Sequence, residues 1–174
     1  MLEEYLKEKE TKLLSVAKKE VLQVPGNNNA KAYYVKSGLL RSYVIDEKGK
    51  THILMFAPEG WIISDIESHT ESEPTKLYID ALEESEIIQV NRFTLETFMS
   101  SKSDNKFLIQ KLFRRVTVLQ KRVILLMSAT AQERYEYFME TYPQLLHRVP
   151  LKMIASYLGM TPEALSNIRS KIRG

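Results

Sequence analysis

The sequence predicts an α+β chain: an all-β sandwich or barrel first, one long helix second, a small all-helical tail last. Three observations carry this. Short β-branched and aromatic runs recur between turn signals over roughly residues 19–91. Beyond Arg92 the apolar periodicity is helical, and no Pro or Gly interrupts the chain between Thr75 and Tyr142. A glycine-punctuated pair of short amphipathic segments then occupies Leu151–Arg173.

Leu2, Tyr5, Leu6, Leu13, Leu14 and Val16 stand near helical spacing and predict a short N-terminal helix. The predicted strands are Val21–Val24, Ala32–Val35, Leu39–Ile45, His52–Phe56, Tyr78–Leu82 and Ile87–Val90. Pro25-Gly26-Asn27-Asn28-Asn29 reads as a loop, Lys36-Ser37-Gly38 as a tight turn and Asp46-Glu47-Lys48-Gly49 as a hairpin tip.

A helix from about Asp104 to Met127 would be roughly 36 Å long at 1.5 Å per residue. Along it Ile109, Leu112, Val116, Leu119, Val123 and Leu126 recur at alternating gaps of three and four. That is a heptad seam with β-branched residues at a and Leu at d, which favours a parallel two-stranded pairing. The six are therefore candidate dimer-interface residues, with Arg115 and Arg122 flanking at g positions. A second stripe, Leu108, Phe113, Val118 and Leu125, is available to face the chain's own β-domain. The seam itself could equally pack inside the chain, as helical apolar stripes commonly do.

In LKMIASYLGMTPEALSNIRSKIR each residue type has a task. Ile154, Leu158, Leu165 and Ile168 would lock two short helices, with Ala155 small where they cross. Gly159 suits a left-handed helix end, Thr161 a cap and Pro162 a first turn. Leu165, Ile168 and Ile172 form the expected buried stripe of the second helix. Glu163, Ser166, Asn167 and Ser170 form its outer face, with Arg169, Lys171 and Arg173 around it. A small polar face on a basic helix is what a DNA major groove requires. Glu can accept from cytosine and Asn can pair with adenine, while Arg169, Ser170, Lys171 and Arg173 suit phosphates. Thr161 joins them as a candidate DNA-binding residue at the helix start. The alternative is a helical hairpin that merely folds.

Charge is divided along the chain. Residues 1–100 carry 12 Lys/Arg and 17 Asp/Glu (net −5), and residues 101–174 carry 13 and 5 (net +8). A basic half beside an acidic one suggests that only the former meets a polyanion, although basic residues also solvate helix faces. The absence of cysteine excludes disulfides, iron–sulfur clusters and thiolate zinc sites. MLEEYLKEKE is too charged for a signal peptide, and the longest aliphatic run, Val123–Met127, is too short for a bilayer. A cytoplasmic protein without membrane contact is expected. His52, His69 and His147 lack ligand spacing, so no metal or haem is expected.

Over about residue 17 to the end, the chain resembles the Crp/Fnr family of bacterial transcription regulators. The marks are Pro25-Gly26, the Tyr33-Tyr34-Val35-Lys36-Ser37-Gly38 turn, the Asp46–Lys50 hairpin, Gly60-Trp61-Ile62, the long helix and Leu151–Arg173. The resemblance implies a double-stranded β-helix, a jelly-roll-like β-roll of the cyclic-nucleotide-binding type. It divides the chain into a sensor at 1–100, a dimerisation helix at 101–127 and a helix-turn-helix DNA-binding domain at 128–174. It also implies a homodimer on double-stranded DNA, with RNA polymerase and a small-molecule effector as the further partners such a regulator admits.

Two departures qualify the resemblance. Cyclic-nucleotide-binding members carry Gly-Glu and Arg-Ser/Thr-Ala around the phosphate. Here Ser64-Asp65 and Thr75-Lys76-Leu77 fall at those places, among Asp65, Glu67, Glu71 and Glu73. Ser64, Asp65, Thr75, Lys76 and Tyr78 are the candidate effector pocket, and tight cyclic AMP binding is not expected from it. Many relatives also place a wing after the helix pair, where Gly174 stands here, so specific affinity is expected to rest on two half-sites. The competing readings are an effector-sensing module that acts through protein contacts, and an enzyme. No nucleophile–base pair, metal-ligand spacing or phosphate-cradling Gly loop favours the enzyme.

Overall fold

The computed structural model describes residues 11–28, 30–71, 73–90 and 105–173. The chain forms two compact units, Met1–Asn105 and Lys106–Gly174.

The first unit is built of antiparallel strands: β1 (Lys12–Val16), β2 (Val21–Gln23), β3 (Ala32–Ser37), β4 (Leu40–Ile45), β5 (Thr51–Ala57), β6 (Ile62–Ile63), β7 (Tyr78–Ala81) and β8 (Ser85–Val90). One sheet has the order β1-β8-β3-β6 and the other β2-β7-β4-β5. Every neighbour lies far along the chain or across a turn, so the two sheets wind together. Val16, Tyr33, Val35, Ile63 and Ile87 from the first sheet meet Leu40, Met55, Ala57, Ile79 and Ala81 from the second in one core. A short helix, α1 (Ile66–Glu71), joins β6 to β7.

All six predicted strands are present. The expected N-terminal helix is not found where it is described, since Leu13, Leu14 and Val16 lie on β1, paired with β8. Leu2, Tyr5 and Leu6 lie outside the described residues. The physical reason is a period of two rather than 3.6. Val16 is buried and Leu14 packs on the core, while Leu13 and Ser15 face solvent. β6, two residues long, has no periodicity to read.

The turns follow their residues. Gly38 has φ +94°, and a Cβ there would lie 2.6 Å from the Glu84 carbonyl oxygen, so only glycine fits. At the β4–β5 tip Asp46 Oδ1 accepts from the backbone N–H groups of Lys48 and Lys50, and Oδ2 lies 2.7 Å from His52 Nε2. The His52 bond, then those amides, hold the Asp46 carboxyl below its ordinary pKa.

The second unit contains α2 (Asn105–Ser128), α3 (Ala131–Thr141), a 3-10 turn (Pro143–Leu145), α4 (Leu151–Tyr157) and α5 (Pro162–Arg173). α3 opens on a capping box. The Glu133 N–H donates to Thr130 Oγ1 at 3.3 Å and the Thr130 N–H donates to Glu133 Oε2 at 2.7 Å. Phe138, fully buried, sits 5.5 Å from Tyr142 and 5.7 Å from Tyr157 between ring centroids. Burial, then the neighbouring Tyr157, pushes the Tyr142 hydroxyl pKa far upward. Among the described residues no helix is long and apolar enough to cross a membrane.

Candidate nucleic-acid interface

α4 ends because its last residues satisfy a Schellman closure. The Met160 N–H donates to the Ala155 carbonyl at 3.0 Å and the Gly159 N–H to that of Ser156 at 3.2 Å. Gly159 takes φ +64°, the left-handed conformation this closure needs. The chain then restarts at Thr161. Its Oγ1 accepts from the Ala164 N–H at 3.2 Å, and Pro162 occupies the first helical position of α5.

Four apolar side chains hold the pair: Ile154, Ala155 and Leu165 are fully buried and Leu158 nearly so. Ile168 is half-buried. Ile172 departs from expectation, being 42% exposed. It lines an open crevice of about 220 Å³ with Tyr135, Met139, Leu146, His147, Leu151 and Arg169. The stripe loses its cover near the end of α5 because the crevice remains unfilled there.

Thr161, Glu163, Ser166, Asn167, Ser170 and Lys171 are all exposed. Ser170 donates its hydroxyl proton to the Ser166 carbonyl at 3.1 Å, which leaves its oxygen as an acceptor. Arg169 is half-buried in the crevice wall rather than standing on the open face. The side chain of Arg173 lies outside the described residues. The outer face of α5 is thus polar and open, with one acceptor-only side chain, Glu163, and two donor–acceptor side chains, Ser166 and Asn167, in its first half.

On α2, Val116 (57%), Leu119 (37%), Val123 (54%) and Leu126 (42%) are exposed, leaving an apolar row at heptad spacing open in the single chain. The side chains of Ile109, Leu112 and Leu108 lie outside the described residues. Of the second stripe Phe113 is exposed, while Val118 and Leu125 are half-buried. Arg122 turns from the row instead of flanking it. The Arg122 guanidinium lies 3.9 Å from the Tyr157 ring centroid, and its Nη2 donates to the Tyr157 carbonyl at 2.8 Å. Burial lowers the pKa of both Arg115 and Arg122, against the field of Tyr142 and Tyr157. Stacking on the Tyr157 ring and the bond to its carbonyl offset part of the cost of taking the Arg122 guanidinium out of water.

The candidate effector residues are tied into the β unit itself. Asp65 is buried; Oδ1 accepts from the Ser68 N–H at 3.4 Å, and Oδ2 accepts from the N–H groups of Lys76 at 2.8 Å and Leu77 at 3.3 Å. Thr75, also buried, donates to the Val24 carbonyl at 2.8 Å and accepts from the Asn27 N–H at 3.3 Å. Lys76 is exposed and paired with Glu67 at 2.6 Å, a bond that raises its pKa. Tyr78 stacks on Tyr43 with centroids 5.1 Å apart, and Ser64 is half-buried. Among the described residues no group of three or more His, Asp or Glu is placed to hold a metal ion.

Sequence reasoning passed over three features near the site. The Thr130–Glu133 box was legible as Thr-x-x-Glu. The roles of Arg122 and Arg134 had no local signal, because their partners lie 35 and 24 residues away.

No family model matches the chain, and no curated protein matches it. Solved structures do. FixK2 from Bradyrhizobium japonicum is 22% identical, covers 94% of this chain and 84% of its own, with a TM-score of 0.77. The c-di-GMP-responsive global regulator CLP from Xanthomonas campestris is 14% identical, over 99% of this chain and 90% of its own, with a TM-score of 0.75. A protein from Eubacterium rectale described as a transcriptional regulator of the Crp/Fnr family is 14% identical, over 98% and 81%, with a TM-score of 0.70. Sequence identities this low speak for architecture alone. The chain has the fold of the Crp/Fnr regulators over nearly its whole length.

Proposed function

We propose that the chain is a homodimeric DNA-binding transcription regulator of the Crp/Fnr type that does not respond to cyclic AMP. In this reading residues 1–100 form the sensor, 101–127 the dimerisation helix and 128–174 the helix-turn-helix domain. The observation that carries it is the outer face of α5. Glu163, Ser166 and Asn167 stand exposed on a helix whose opposite side is locked by Leu165. That face belongs to the basic half of the chain. Fixed hydrogen-bonding groups on a rigid, cationic element are what direct readout needs. The open row of Val116, Leu119, Val123 and Leu126 supplies the means of pairing two such helices across half-sites one helical turn apart.

The test is a gel shift on the DNA upstream of the chain's own gene, repeated across salt. Counterion release makes affinity fall steeply with salt if phosphates are held. Asn167→Ala and Glu163→Ala are each expected to cost ~1–3 kcal/mol at one base position and to relax preference there, with the dimer intact. Unchanged preference in both variants would place the reading helix elsewhere.

The effector side follows from the same bonds. A cyclic phosphate needs a donor-rich cradle and a fork-shaped cation. Asp65 instead brings a buried carboxylate already engaged with the backbone amides of Lys76 and Leu77, just ahead of β7, and the charge of Lys76 is matched by Glu67. Calorimetric titration with cyclic AMP is expected to show no binding at micromolar concentration. A micromolar or tighter constant would overturn this part of the proposal.

A further inference from the structure

The turn between α4 and α5 is held from outside by two arginines on different helices. Its N–H groups bond backward into α4: Leu158 to Ile154, Gly159 to Ser156 and Met160 to Ala155. Its carbonyls point the other way, and a helix end leaves such groups without intrahelical partners. Arg122, from α2, donates through Nη2 to the Tyr157 carbonyl at 2.8 Å. Arg134, from α3, donates through Nη1 to the Leu158 carbonyl at 2.8 Å and to that of Gly159 at 3.4 Å. Three consecutive carbonyls are therefore taken by two guanidinium groups.

Side-chain packing closes the same turn. The Arg122 guanidinium covers the Tyr157 ring at 3.9 Å. A Cβ on Gly159 would meet Leu126 Cδ2 at 3.0 Å and Arg134 Nη1 at 3.4 Å, so α2 and α3 both abut the turn. The backbone of 157–160 sets the direction in which α5 leaves α4. Fixing its carbonyls from two independent helices fixes that direction.

We infer that Arg122 and Arg134 are positioning residues for specificity: they touch no DNA, but by clamping the α4–α5 turn they set how α5 presents Glu163 and Asn167. This rests on the DNA-binding reading above. A base contact tolerates little misplacement, whereas a phosphate contact made by a flexible side chain tolerates more. Losing the clamp therefore lowers specific affinity and spares non-specific affinity.

The test uses the full chain with Arg122→Met and Arg134→Met, which keep stem volume and remove the donors. Specific affinity in a competition gel shift is expected to fall about tenfold or more, with non-specific affinity unchanged. The slope of log affinity against log salt should be preserved, because neither arginine releases a counterion. Hydrogen exchange at 157–161 should quicken relative to α3 and α5. Should methionine lower the helical circular dichroism, Arg122→Lys and Arg134→Lys carry the same test, since charge stays and the planar fork goes. Unchanged specific affinity in both positions overturns the inference. So does a slope reduced by about one, which would mark a phosphate contact instead. If the unaltered chain binds no DNA, the DNA reading fails by itself. Exchange at 157–161 then decides the clamp, faster in the variants supporting it and unchanged overturning it.

Discussion

If the chain pairs as proposed, a glutamate in place of Val123 is expected to turn the dimer into monomers and to cost about 100-fold or more in affinity for a two-half-site operator. Val123 is 54% exposed in the single chain, so the substitution removes little from the fold of one subunit. In the proposed pairing the same position is an a site, where each subunit would bury its carboxylate against the other's. Burying an unpaired charge costs several kcal/mol, and two facing carboxylates add repulsion. With pairing lost, each helix-turn-helix must bind its half-site alone. The second half-site then contributes no effective concentration, a term commonly worth about 10²–10⁴. Sedimentation velocity reads the oligomeric state and the gel shift reads the affinity. Serine at the exposed, off-seam Ile124 is the control, expected to leave both unchanged. A Val123→Glu protein that remains dimeric and binds normally would remove the heptad row from the interface.

Arginine 41 to alanine is expected to destabilise the β unit by about 3–5 kcal/mol, the usual consequence of stranding one member of a buried ion pair. Arg41 Nε and Nη2 each donate to an Asp80 carboxylate oxygen at 2.7 Å, with only 15% and 9% of the two side chains exposed. Burial works to lower the pKa of the guanidinium. The bond to Asp80 and its charge outweigh that, leaving the pKa raised. The guanidinium also lies 4.3 Å from the Tyr43 ring, which in turn stacks on Tyr78. Alanine leaves the Asp80 carboxylate buried without its cation and uncovers the ring. A loss of this size should lower the thermal midpoint of the β unit by more than about 10 °C. The double variant Arg41→Leu with Asp80→Leu is expected to recover most of that, because apolar pairs replace buried ion pairs at little cost. If Arg41→Ala melts like the unaltered chain, Asp80 must be reached by water in solution.

Much of the architecture was legible one residue at a time. Six strands stood out because β-branched runs ended at turn residues whose backbone preferences are local, as at Asp46–Gly49 and Gly38. The long helix and the helix–turn–helix pattern were equally local: gaps of three and four, a left-handed Gly159, a capping Thr161. β1 was misread because five residues with two leucines side by side satisfy either period, and only pairing with β8 selects the strand. Ile172 was misread because periodicity places a residue on a face without saying whether anything covers it.

Sequence alone determined the turns that separate six of the strands, how the charge is divided, and which side of the last helix is polar. Each follows from interactions within a few residues, or from composition, and needs no partner. Tertiary structure alone decided the bonds that join distant segments. Arg41 reaches an aspartate 39 residues away, Asp65 ties α1 to the segment just before β7, and Arg122 turns from the seam to a carbonyl 35 residues on. A buried charge takes the partner that the assembled backbone brings within about 3 Å, and that distance is written in no local pattern.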